Sequence, residues 1–171
     1  MMDWILFLNQ LCVFLFFILI TQAALTDMQR FIIPNYVSIA LIGLYVPFAL
    51  TSPEKVEVLH SVLFFCSVLV IGFVLFAVNI IGAGDVKLLA AISLWTTPTL
   101  YPAFLLNASI AGGVLSLAVV GFYYGRYYLQ LTPEPIIKGK KVPYGIAISV
   151  AGYVVGFNYI TVFNYFSFTG V

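Results

Sequence analysis

The chain has 171 residues, 63% of them in the AVILMFWYC set and only 8% charged, against about 25% in an ordinary soluble domain. A soluble globule of this length cannot hide so much apolar surface, and a disordered chain would be polar, so both classes are excluded. The net charge of +1 says nothing about partners, but no Lys/Arg cluster is dense enough to hold nucleic acid, and the long apolar runs lack the alternation of a transmembrane barrel, so an all-α polytopic membrane protein is expected.

Six apolar segments follow in order, 4–25, 35–51, 58–80, 86–101, 103–124 and 143–166, and predict about six transmembrane helices in a single domain over 1–171. The first ends near Gln22-Ala23-Ala24, which resembles a cleavage site. It opens on Asp3 with no Lys or Arg, however, so it reads as a retained span rather than a signal peptide. The first, third, fifth and sixth segments approach or exceed the ~20 residues a bilayer requires. The second and fourth are shorter and are interrupted or bounded by Pro47, Pro53, Pro98 and Pro102, which neighbouring helices or water can accommodate. The linkers are short, except for 125–142.

Counting through six spans places Arg30, Lys87, Arg126, Lys138, Lys140 and Lys141 on one side of the membrane and Lys55 alone on the other. Positive residues stay in the cytoplasm, so both termini are expected outside it. The Tyr cluster at 123, 124, 127 and 128 fits an aromatic belt at the cytoplasmic interface. Gly121-xxx-Gly125 and Gly152-xxx-Gly156 fit close helix packing, within the bundle or in a homodimer.

Of the six carboxylates, Asp3 is terminal, Glu54 and Glu57 flank Lys55 in an outer loop, and Glu134 lies between Pro133 and Pro135. Asp27 and Asp85 differ. Each stands at the edge of an apolar run, and two spans separate them, so they return to the same membrane face. Two carboxyls brought together share one proton; the charged one can take a proton from water while the other donates to a carbonyl oxygen. That is peptide hydrolysis without a covalent intermediate. Asp85 sits in Gly82-Ala83-Gly84-Asp85-Val86-Lys87-Leu88, where glycines allow close approach or a positive φ. Asp27 is followed by Arg30 and then Ile33-Pro34-Asn35, with Pro34 suited to the first turn of a new helix and Asn35 to hydrogen bonding there. Cys12 and Cys66 lie inside apolar runs and read as packing residues. The single histidine, His60, falls on the opposite side from the aspartates and reads as a capping or interfacial residue.

The run from Asp27 to Ile33-Pro34-Asn35, followed by Gly82-Ala83-Gly84-Asp85-Val86-Lys87-Leu88, resembles the type IV prepilin peptidase family, membrane aspartic peptidases of the GxGD class. Lys141-Val142-Pro143-Tyr144-Gly145 is similar to that family's Pro-aromatic-Gly stretch. The resemblance implies cleavage of the short basic leader from prepilin-like precursors at the cytoplasmic face of a bacterial membrane, with Asp27 and Asp85 catalytic. Gly82 and Gly84 would shape the Asp85 loop, and Arg30, Pro34, Asn35 and Lys87 would support the pair. No cofactor is expected, and no metal, because no His or Cys lies near the pair in the sequence. The paired cysteines and cytoplasmic insertion of the long, N-methylating members are missing, so the chain looks like the small forms serving Flp-type pili. A rival reading is a small transporter or proton-conducting bundle, which would carry its acids near mid-bilayer. A GxGD protease cutting within a transmembrane helix fits poorly, because Asp27 follows Thr26 rather than an aromatic residue.

Overall fold

A backbone in hydrocarbon has no water to bond, so apolar runs satisfy their N–H and C=O groups internally, as helices. The computed structural model describes residues 2–52, 56–129 and 142–169, with side chains for 4–52, 56–129 and 142–161. Glu54, Lys55, Pro133, Glu134, Pro135, Lys138, Lys140 and Lys141 lie outside the described residues, as does the side chain of Asp3. Six α-helices follow: α1 (Met2–Arg30), α2 (Asn35–Thr51), α3 (Val58–Ala77), α4 (Ala83–Ser93), α5 (Tyr101–Tyr128) and α6 (Tyr144–Thr169). The described residues contain no strand.

Four helices are long and apolar enough to cross a membrane: Trp4–Arg30, Val58–Ala77, Pro98–Tyr128 (with its leading turn) and Tyr144–Thr161. α2 has 17 residues. α4 has 11, which at 1.5 Å per residue is about 16 Å. The six expected spans are therefore six helices, four of spanning length. The fourth helix stops at Ser93, and proline chemistry breaks the rest of its apolar run. Thr97 is extended (φ −78°, ψ 157°) ahead of Pro98, because the proline ring disfavours helical geometry in the preceding residue. The chain restarts as a 3-10 turn, Pro98–Leu100, and α5 then carries Pro102 in its first turn, where the missing N–H is harmless. The third apolar run stops being helical at Ala77, and Asn79 turns the chain at φ 60°, a conformation that asparagine tolerates better than most residues.

The shortest helix is the most enclosed. α4 packs against α2, α3 and α6, while α1 packs against α2 and α6, and α5 lies on α6. Residues 90–96 are all buried. Trp95, 1% exposed, lies with its ring 4.7 Å from Phe16 and 4.7 Å from Phe48. Its Nε1 donates to the Leu41 carbonyl at 3.1 Å, and its own carbonyl accepts the Tyr159 hydroxyl. α6 lies close on both α1 and α4: a Cβ at Gly156 would stand 2.5 Å from the Phe17 ring of α1, and one at Gly152 would stand 3.1 Å from Ile92 of α4. Gly152-xxx-Gly156 is thus used inside the bundle, whereas Cβ atoms at Gly121 and Gly125 would meet nothing within 4 Å. Outer faces of α3 and α5 present Val70, Ile71, Phe73, Val114 and Leu117.

Trp95→Ala should destabilise the bundle by about 3–5 kcal/mol, and Leu117→Ala on the outer face of α5 by about 0.5 kcal/mol or less. Thermal unfolding in detergent measures both.

Candidate active site

α1 ends one turn after Asp27. Phe31 takes φ 53°, and its N–H donates to the Asp27 carbonyl at 2.8 Å, a left-handed cap that reverses the chain. A bulky residue in that region carries strain on the order of 1–3 kcal/mol, here four residues from a buried carboxyl. Pro34 does not occupy the first helical turn. It is the N-cap of α2 (φ −66°, ψ 137°), and its carbonyl accepts the Val37 N–H at 3.1 Å. Asn35 makes no cap bond; its Oδ1 accepts from Lys87 Nζ at 3.0 Å, tying α2 to α4.

Asp85 lies in the first turn of α4, whose N-cap is Gly82 (φ −75°, ψ 146°). The expected alternative of a positive φ is therefore not the reason for glycine at 82. Space is: a Cβ there would stand 2.8 Å from Asp85 Oδ2. Gly84 brings the start of α4 against the 31–34 link, where a Cβ would stand 3.3 Å from that of Ile33.

Asp27 is 4% exposed. Its Oδ2 accepts the Gly145 N–H at 2.7 Å, while the Ile146 N–H donates to the Pro143 carbonyl at 3.2 Å. A cavity of about 830 Å³ runs between the ends of these elements, and both Asp27 and Asp85 line it. Gly82, Gly84, Pro34, Asn35 and Lys87 line it as well. Arg30 does not; it lies on the exposed last turn of α1. His60 pairs with Glu57 at 2.9 Å and takes no part in the cavity wall. Cys12 is buried, Cys66 exposed, and both are free thiols.

Burial pushes the Asp85 carboxyl up to about 6, and the charge of Asp27 pushes in the same direction, against the Gly82 N–H. No cation offsets this among the described residues: the Lys87 ammonium is held by Asn35, and neither aspartate is in an ion pair. Two coupled carboxyls in the wall of one cavity release their protons in two steps that belong to the pair. Such a pair can activate water and protonate an amide oxygen.

Sequence reasoning assigned no role to Tyr144, Gly145 or Phe31. The first two were visible as a Pro-Tyr-Gly stretch opening the last apolar run. The positive φ of Phe31 carries no sequence signal.

The model of the type IV leader peptidase family matches residues 13–117, more than half of the chain and a stretch that holds both aspartates. No curated protein and no solved structure matches the chain.

The raised value at Asp85 has a consequence for stability. The folded state holds this proton more tightly than the unfolded chain, whose carboxyl titrates near 3.8. Stability is therefore greatest below that value and falls as pH rises to about 6. Asp85→Asn should raise the unfolding temperature at neutral pH, and the gain should shrink as pH falls through this window. Unfolding scans of both proteins at pH 7.5 and pH 4 measure it.

Proposed function

We propose, from the premise that this chain belongs to the type IV leader peptidase family, that it is an aspartic endopeptidase of the GxGD type. In this reading it removes the short basic leader from type IV prepilin-like precursors at the cytoplasmic face of a bacterial cell membrane. The observation that carries it is the meeting of two carboxyls, Asp27 from the end of α1 and Asp85 from the start of α4, in the wall of one cavity.

Both acids stand at helix ends rather than mid-helix. A precursor whose apolar helix lies in the bilayer and whose leader lies in the cytoplasm would present its scissile bond at that level. The charged carboxylate takes a proton from water as the oxygen attacks the peptide carbonyl. The protonated carboxyl donates to the carbonyl oxygen, and collapse of the tetrahedral species passes a proton to the leaving amine. Gly82 gives the Asp85 side chain its room, and the Lys87–Asn35 bond fixes the base of the loop against α2. The resemblance to the small forms of the family favours the Flp-type class of precursor. Lys138, Lys140 and Lys141 carry the same sign as a basic leader, so the loop holding them is a poor leader-recognition site.

Co-expression with a panel of prepilin-like precursors tests the reading. Wild type should shorten one of them. Asp27→Asn and Asp85→Asn, at equal membrane abundance, should each slow that cleavage by about 10²–10⁴-fold. Processing by Asp85→Asn at the wild-type rate overturns the aspartic mechanism. Reversing the charge of the three lysines should leave the cleavage rate unchanged.

A further inference from the structure

The two aspartates are held differently. Asp27 is gripped from another helix: the Gly145 N–H, in the first turn of α6, donates to its Oδ2 at 2.7 Å. An N–H in that position has no partner within its own helix, and it carries the positive end of the helix dipole. The approach is available to glycine alone. A Cβ at 145 would stand 2.8 Å from Asp27 Oδ2, 3.0 Å from Asp27 Cβ and 2.9 Å from Ile33 Cδ1. The backbone donor facing Asp85 belongs to its own loop, at Gly82.

The other groups that could set the charge of Asp27 are committed or distant. On α4, Lys87 donates to Asn35, which leaves Asp85 itself. On α6, the Tyr144 hydroxyl is bonded to Ser116 at 3.0 Å. On α2, the Tyr36 hydroxyl accepts from Gln22. On α1, Arg30 is exposed and outside the cavity.

We propose that Gly145 is the positioning residue of the pair: its N–H holds Asp27 as the charged member that takes the proton from water, and the shared proton is left on Asp85. This rests on the peptidase reading for its catalytic meaning, but the grip itself is a property of the resting protein. It divides the labour between two residues that the sequence leaves equivalent.

The test removes the N–H and adds no atom. Glycolate in place of Gly145 turns the amide into an ester, so nothing new meets Asp27 or Ile33. The full-length protein is labelled with ¹³C at the aspartate carboxyl carbons, of which there are three, Asp3, Asp27 and Asp85. Asp→Asn variants assign the signals. In wild type the first proton taken up by the pair should appear on Asp85. In the ester it should be divided between Asp85 and Asp27. The acid limb of the pH–rate profile for precursor cleavage should move up by about half a pH unit or more, and kcat should fall about tenfold or more with KM unchanged. In an Asp27→Asn background the ester should change neither quantity. Carboxyl titrations identical in ester and wild type overturn the proposal. So does a loss of activity with an unchanged pH profile, which is what a packing role alone would produce. If wild type cleaves no precursor, the peptidase reading fails while the titrations still decide the grip of Gly145.

Discussion

The absence of water in a bilayer is the constraint on which this structure depends. Each peptide group must find its partner inside the protein, and a helix of 11 residues cannot do so while crossing hydrocarbon on its own. α4 is admissible only because other helices enclose it. α3, α2 and α6 surround it, and Trp95 just beyond its end is locked by three aromatic rings and two hydrogen bonds. α4 is buried toward its far end, and at its near end, where Gly82 and Ala83 are exposed, stands the half-buried Asp85. The device that makes the fold possible is thus the one that presents a carboxyl to a cavity.

The second carboxyl arrives by a different route. α1 is helical through Asp27 to Arg30, then stops on the left-handed Phe31 and turns into the extended segment ahead of α2. That turn lets Ile33 press on Gly84 at the start of α4, while α6 begins against Asp27 through Gly145. Glycine is used at each of these meeting points for proximity rather than for backbone freedom. The cost of the arrangement is visible in Asp85, whose carboxyl is pushed up by burial and by the neighbouring acid. Two acids in one cavity wall, one of them buried, oppose folding.

Much of this was legible beforehand. Helical class follows from apolar runs without alternation, and both aspartates stood out as the acids at the edges of such runs. The glycines of 82–84 pointed to a close approach. Other features were not legible. The run 86–101 reads as one segment because hydropathy registers neither the end of the helix at Ser93 nor the extended Thr97 ahead of Pro98. Arg30 lies next to the motif in sequence, yet helical geometry carries it around to an exposed face. Pro34 and Asn35 serve a cap and a cross-link rather than the first-turn roles their types suggest.

The sequence by itself determined the environment, the helical class, the family and the two acids, because each rests on composition or on residues close along the chain. Tertiary structure alone decided which groups meet. Gly145 lies 118 positions from Asp27, and Lys87 lies 52 from Asn35. Contacts at such separations depend on how helices pack, on where α4 stops and on the turn at Phe31. Local periodicity carries no record of those distances, so the hold on Asp27 and the enclosure of α4 emerge only once the helices are assembled.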